Sequence, residues 1–389
     1  MQIVQAVVGA FHHFDLAHEL NDRHHLKKIY STWPWARLKR EGLPRPLVGT
    51  FLPFHAANYL LSTHVSFYPR AWYHAVDLLN FTAFDAWLAR KVPACDAFVA
   101  LSGIGLKSGP AVQRRGGKFI CDRGSTHHRH QARVLAEEYA RWGVGSSPAL
   151  PKLTELEERV YDLADAITVP SSRALQTFIE MGVPAAKLHR IPYGVRLDRF
   201  SPTVSPPPIR ERFEALFVGQ VSLRKGVPYL LQAFAKVRHP NKRLRVVGAL
   251  QPDLASILPR LPLESVEFLG ALPQAELPAV LSGSHALVIA SVEEGLALVQ
   301  AQAMACGCPV IATTATDAED LFTDGREGFI VPDRDVEALA ARMQRLIDEP
   351  DLQERLAAAA LEKVRTLGGW REYGDRWESL LHTLTGNEV

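Results

Sequence analysis

The stretch Ser291–Thr313 reads SVEEGLALVQAQAMACGCPVIAT, and its reading decides the fold. The apolar run Ala286–Ala290 leads into it and predicts a buried parallel strand. A polar turn with Glu293, Glu294 and Gly295 follows, then a helix over Leu298–Cys306. Gly307 supplies the helix stop, and Pro309 opens a second apolar strand, Val310–Thr313. Strand, helix and strand at this spacing form the repeating unit of a doubly wound α/β sheet. In such sheets ligands bind outside the carboxyl ends of the strands, and a helix start there favours anionic groups. Glu294 stands just before the helix, and Gln302, eight residues on, lies about one turn inside it. One ligand lying across the helix N-terminus can reach both.

The chain has 389 residues, enough for two domains, and is 47% hydrophobic and 22% charged, a globular composition. No 18-residue apolar run exists, which argues against a membrane-spanning helix. The start MQIVQAVVGA has no basic region and reads as a first core strand, not a signal peptide. Cys95, Cys121, Cys306 and Cys308 form no C-x-x-C pair; they read as structural thiols in a reducing, cytoplasmic setting. The net charge of +2 hides an asymmetry: residues 1–200 hold 25 Lys+Arg against 17 Asp+Glu, and twelve of the fifteen histidines. A basic first half fits an anionic partner such as a phospholipid surface or a phosphate-linked acceptor, or is plain charge scatter. No feature points to nucleic acid.

Along the chain, Ile3–Val8 predicts a strand, Gly9 to His13 its exit turn, and Asp15–Leu26 a helix. Lys27–Arg45 interleaves six basic residues with Tyr30, Trp33 and Trp35; this suits either a membrane-surface contact or a packed helix-loop insertion. Strands follow at Asp96–Ala100, Lys118–Asp122 and Ala166–Pro170, with Ser171-Ser172 capping a helix to Met181. Ser102-Gly103-Ile104-Gly105 is half a dinucleotide fingerprint without the rest, which weakens a nicotinamide-dependent reading. The helix Leu153–Ala164 carries Glu155, Glu157 and Glu158, read as a solvated face. Ser201–Pro208 is a proline-rich linker. A second alternating series begins at Glu214–Val218, with helix Val227–Lys236 and strands Leu244–Val247, Val266–Leu269 and Gly328–Val331. Asp333-Arg334-Asp335 matches a metal-binding Asp-x-Asp, but Asp335 fits better as the cap of helix Val336–Asp348. A last helix is expected over Arg371–Leu384.

Glu294-Gly295, then Ala303-Met304-Ala305, Gly307 and Pro309-Val310 stand in register with a known signature. With Ile167-Thr168-Val169-Pro170-Ser171, Gly182-Val183-Pro184, Ile191-Pro192 and Lys225-Gly226, they resemble the group-one retaining glycosyltransferases. The resemblance is close over 166–350 and weak over 1–150. It implies a GT-B fold: two facing Rossmann-like domains with a cleft between them and a C-terminal helix returning to the first. The expected bounds are 1–200 for the acceptor-side domain, 201–213 for a linker, 214–367 for the nucleotide-sugar domain and 368–389 for the returning helix. The chain departs from the signature at Leu296-Ala297 in place of Phe-Gly, and at Gln302 in place of a second Glu. Gln220 replaces an Arg of the diphosphate clamp, for which Arg224 can substitute, and Tyr193 replaces an Asn.

The implied catalytic set is Glu294, Lys225 and Arg224. The implied donor contacts are Gly219, Gln220, Gly270, Ala271, Leu272, Gly295, Leu296, Ala297, Leu298, Val299 and Gln302. On the acceptor or cleft side stand Gly9, His12, His13, Asp122, Arg123 and His127, the two adjacent histidines placed to touch phosphates. No metal and no resident cofactor are implied; the nucleotide-diphosphate sugar is a co-substrate. The expected activity is retaining, metal-independent transfer of a sugar to a saccharide or lipid-linked acceptor, in polysaccharide or glycolipid biosynthesis. A phosphorylase and a non-catalytic sugar-nucleotide binder on the same fold are the alternatives.

Overall fold

Apolar runs too short for helices and rich in Val, Ile, Phe and Ala become buried parallel strands in two separate sheets. The computed structural model describes residues 1–53, 70–145 and 151–386, and the side chains of 70–75 are not described. The chain divides into two compact units, the first comprising 1–132, 148–193 and 370–389, the second 133–147 and 194–369.

In the first unit the strands are β1 (Ile3–Val7), β2 (Leu26–Ser31), β3 (Val48–Thr50), β4 (Ala97–Leu101), β5 (Lys118–Asp122), β6 (Ala166–Val169) and β7 (Leu188–Arg190). They form one sheet in the order β3-β2-β1-β4-β5-β6-β7. Every pairing is parallel. Both faces are covered, as an all-parallel sheet requires. Phe84 and Leu88 of the helix Arg70–Lys91 pack with Phe98 and Phe119 in one core cluster. Phe14 and Leu20 of the helix His13–Asp22 pack with Tyr373, Trp377 and Leu381 in the other. The final helix, Trp370–Thr385, therefore returns to the first unit, where Arg23 donates to Asp375 at 2.5 Å and to the Arg371 carbonyl at 3.0 Å.

The second unit holds β8 (Phe213–Val218), β9 (Lys242–Val247), β10 (Val266–Gly270), β11 (Ala286–Ile289), β12 (Val310–Thr313) and β13 (Gly328–Val331). Their order is β10-β9-β8-β11-β12-β13. Strand order reverses between β8 and β11, and in doubly wound sheets the ligand crevice lies at the carboxyl edge of such a reversal. In the first unit the corresponding reversal lies between β1 and β4.

Two expectations are corrected. The first helix stops at Asp22, because His24 takes a left-handed φ of 59° and the His25 N–H closes back on the Leu20 carbonyl at 2.7 Å. Leu26 accordingly opens β2, and the basic run divides among this strand, the short helix Trp35–Leu38 and the single 3-10 turns Lys39–Glu41 and Arg45–Leu47. Glu157 is not solvated: it is buried, accepts from the Tyr161 hydroxyl at 2.6 Å and pairs with Arg123 at 3.2 Å. Residues 133–147 belong to the second unit, where Tyr139 donates to Asp253 at 3.0 Å and Glu138 pairs with Arg334 at 2.8 Å. The proline stretch 201–208 also falls inside that unit, with the Pro207 carbonyl accepting from His285 at 2.9 Å.

Candidate active site

The deciding stretch folds as it reads. The helix spans Leu298–Ala305, Ala297 precedes it in extended conformation, and no side chain caps its start. The Gln300 N–H turns back to the Ala297 carbonyl at 3.0 Å, while those of Leu298 and Val299 have no acceptor among the described residues and present partial positive charge. The loop after β8 lies beside it, tied by the Val292 N–H to the Arg224 carbonyl at 3.0 Å. Gly226 makes this approach possible. A Cβ there would stand 1.7 Å from the Ala290 carbonyl oxygen, and its φ is 63°. The Lys-Gly pair is thus a packing requirement as well as a charge.

Where the two loops meet, four charges converge. The Lys225 ammonium donates to the Glu294 carboxylate. Arg224 Nη1 lies 3.1 Å from Glu293 Oε2 and 3.4 Å from Glu294 Oε1. Both glutamates are buried. Burial alone would push the Glu294 carboxyl upward, but Lys225 and Arg224 outweigh it and hold the group below the usual carboxylate range. Burial opposes the Arg224 charge too, and Glu294 with Glu293 overrides it, keeping the guanidinium protonated. The crevice therefore presents two cations, an ionised carboxylate and an open helix N-terminus. The sequence marks Glu293 only as part of a polar turn; the structure has it anchor Arg224.

Gln302 is half-buried, and its side chain makes no hydrogen bond to a described residue. Gln300, two residues earlier and on the far side of the helix, is buried and donates to the Thr316 carbonyl at 3.0 Å. The helix thus spends one glutamine on the core and leaves the other open. Gly295, Leu296 and Ala297 are buried under the turn, while Leu298 and Val299 are half-buried at the helix start. Gly219 follows β8 directly, and Gln220 is exposed, so Arg224 is the arginine that reaches Glu294. Gly270, Ala271 and Leu272 close the edge strand β10, where the Gly270 carbonyl already accepts the Gly248 N–H at 2.8 Å.

On the first unit, Gly9 and the two histidines follow β1, and Asp122 ends β5. His12 Nε2 lies 2.7 Å and His13 Nε2 3.3 Å from the same Asp122 oxygen. Burial and the neighbouring His12 push His13 down to about 3, against the pull of Asp122. Two residues of the acceptor-side set are buried in the first unit. Arg123 is buried and turned inward, donating to the Thr126 carbonyl at 3.0 Å, Gln131 at 2.9 Å and Ser102 at 3.2 Å. His127 is buried against Tyr161 and Phe178, with ring centroids 5.1 and 4.9 Å away, and its burial lowers its pKa to about 4. Both serve the core of the first unit.

The basic-aromatic stretch forms stacked pairs: the Arg37 guanidinium lies 3.5 Å from the Trp33 ring centre and that of Arg45 lies 5.1 Å from Trp35. Arg37, Lys39, Arg40 and Arg45 are exposed. No helix among the described residues is long and apolar enough to cross a membrane. Asp335 caps its helix by accepting the Ala338 N–H at 2.8 Å, and Asp333 pairs with Arg334 at 2.7 Å.

Residues 205–363 match the family model described as glycosyl transferases group 1, and residues 110–199 match that of glycosyltransferase family 4. The MMP alpha-(1->4)-mannosyltransferase of Mycolicibacterium hassiacum is 29% identical over 223 residues, 56% of this chain and 54% of that protein. A GDP-mannose-dependent alpha-(1-6)-phosphatidylinositol monomannoside mannosyltransferase of Mycolicibacterium smegmatis is 27% identical over 294 residues, 70% of this chain and 72% of its own length. The chain spans about half the length of most curated relatives it matches. Among solved structures, sucrose-phosphate synthase from Thermosynechococcus elongatus matches with a TM-score of 0.72 at 20% identity, over 100% of both chains. Anabaena HepE, solved with UDP and glucose, matches with a TM-score of 0.70 at 17% identity, over 98% of this chain and 100% of its own. These likenesses establish the GT-B fold. The family models, the curated relatives and these structures agree in supporting a group 1 glycosyltransferase.

Proposed function

We propose that this chain transfers a sugar, with retention of anomeric configuration, from a nucleotide-diphosphate donor to an acceptor hydroxyl. The observation that carries this reading is the meeting of Lys225, Arg224, Glu294 and an uncapped helix start at the strand-order reversal of the second unit. A diphosphate needs cations and N–H donors; a sugar ring needs an acceptor of hydroxyl hydrogen bonds. On donor arrival the diphosphate takes the place of the Glu294 carboxylate at Lys225, and Glu294 turns its lone pairs to the sugar hydroxyls. As the bond from the sugar to the diphosphate breaks, negative charge grows on the leaving oxygens. Lys225, Arg224 and the helix N-terminus stabilise that charge, and Glu294 steadies the cationic sugar. Glu294 is tied to two cations and unsuited to act as a free nucleophile. This favours a front-face route assisted by the leaving group over a covalent double displacement.

The first unit would bind the saccharide or lipid-linked acceptor, with polysaccharide or glycolipid assembly as the setting. Its exposed Arg37, Lys39, Arg40 and Arg45 suit peripheral contact with the cytoplasmic face of a membrane. The reaction needs no resident cofactor, the nucleotide sugar being a co-substrate. The direct test is incubation with nucleotide sugars and candidate acceptors, followed by NMR of the new anomeric centre. Retention supports the reading, and inversion overturns the mechanism. Release of sugar phosphate with inorganic phosphate would mark a phosphorylase, and binding without turnover a sensor.

Two expected results concern the donor. Donor affinity measured by calorimetry is the same in EDTA as in magnesium or manganese, because protein cations and N–H groups hold the diphosphate. Loss of binding in EDTA, restored by either metal, contradicts this. Gln302→Glu binds donor at least as tightly as the natural chain, since a carboxylate accepts ribose hydroxyls with roughly twice the strength of a neutral amide. If Gln302 instead lies against the diphosphate, the new charge at ~6 Å and an effective dielectric of about 20 costs about 3 kcal/mol. A hundredfold loss of affinity would mean that the donor site differs from the family pattern.

A further inference from the structure

We propose that His12, His13 and Asp122 form a binding site for a transition-metal ion, with Zn2+ the best-matched occupant. The turn after β1 and the end of β5 bring together residues 110 positions apart. The ligand atoms of all three side chains lie within 4.8 Å of one another. Both imidazole Nε2 atoms lie near one carboxylate oxygen, Asp122 Oδ2, His12 hydrogen-bonded to it at 2.7 Å and His13 3.3 Å away. The other oxygen of Asp122 accepts from the Thr168 hydroxyl at 2.8 Å, which fixes the carboxylate as an outer partner fixes a metal ligand.

The second observation is independent of the clustering. His13 is fully buried, and neither of its ring nitrogens has a hydrogen-bond partner among the described residues, the 3.3 Å contact with Asp122 falling outside hydrogen-bond geometry. A buried imidazole without partners is rare and calls for an ion or a water. Two imidazoles and one carboxylate suit Zn2+ and its first-row neighbours, whereas Mg2+ and Ca2+ take oxygen donors. Zinc held at ~2.0–2.2 Å from each ligand separates tetrahedral donors by roughly 3.4 Å, so the His12–Asp122 contact must open while that of His13 with Asp122 already fits. His12 is backed by Tyr193, with ring centroids 4.5 Å apart. Gly124 leaves the room: a Cβ there would lie 2.9 Å from the Tyr193 hydroxyl and 3.5 Å from His12. The proposal stands apart from the donor chemistry, since every ligand lies in the first unit.

The full chain, free of any affinity tag and stripped with chelator, is titrated calorimetrically with Zn2+. The expected result is one saturable ion per chain, weakened at least tenfold in both His12→Ala and Asp122→Asn. His382→Ala serves as the control, because His25, Glu378 and His382 form another two-imidazole, one-carboxylate group. It should leave the affinity unchanged. Should His12→Ala fail to fold, Asp122→Asn and the visible absorption of bound Co2+ in the natural chain decide. No saturable binding overturns the proposal, as does binding that survives both variants or disappears in His382→Ala. Nucleotide affinity, measured on the same samples, reports separately on the proposed donor site.

Discussion

Glu294→Gln lowers turnover by at least about a hundredfold, the scale seen when a single electrostatic partner of a transition state is removed, and leaves the fold intact. The glutamine keeps the volume of a buried side chain and can still accept from Lys225 and Arg224. What it loses is the charge that stabilises a cationic sugar. Glu294→Ala should show the same loss of turnover. It also leaves Lys225 without its carboxylate, so part of its effect would appear as lowered stability. Initial rates for both variants, beside thermal melts, separate the two contributions. A folded Glu294→Gln variant with near-normal turnover would remove Glu294 from the mechanism.

Lys225→Ala weakens donor binding and turnover together. A hydrogen bond to a charged group contributes about 1.5–3 kcal/mol, so the dissociation constant should rise roughly 10- to 150-fold. Turnover falls further, because the diphosphate carries more charge in the transition state than in the ground state. Glu294 keeps Arg224 as a partner at 3.4 Å, so the loop should hold its place. Lys225→Arg, which keeps the charge, should restore part of the binding. Calorimetry and single-turnover kinetics measure the two effects, and unchanged donor affinity in Lys225→Ala would falsify the diphosphate assignment.

The second unit was legible in the sequence because its elements are local. An apolar run, a polar turn and a glycine stop within 23 residues give β11, the helix and β12 nearly to the residue. The capping role of Asp335 was legible for the same reason. Pairings that depend on distant chain were not. Nothing around His12 announces that Asp122, beyond three intervening strands, would share an oxygen with it. Arg123 and His127 look like exposed polar residues in a strand-exit loop, yet Glu157 and the Tyr161–Phe178 wall draw them inward. Glu157 looks solvated in the sequence because its helix shows three acids in four positions, and only tertiary packing separates buried Glu157 from exposed Glu155. The assignment of 133–147 to the second unit was hidden likewise, since one continuous helix, His128–Trp142, crosses the division.

The central claim is that the crevice at the β8–β11 reversal binds a nucleotide-diphosphate sugar. A thermal-shift panel of nucleotide sugars on the natural chain and on Lys225→Ala tests it most directly. At ~100 times its dissociation constant a true donor stabilises the natural chain by about 2.7 kcal/mol. The same concentration should stabilise Lys225→Ala far less. Stabilisation of both proteins to the same extent, or of neither by any nucleotide sugar, would contradict the account.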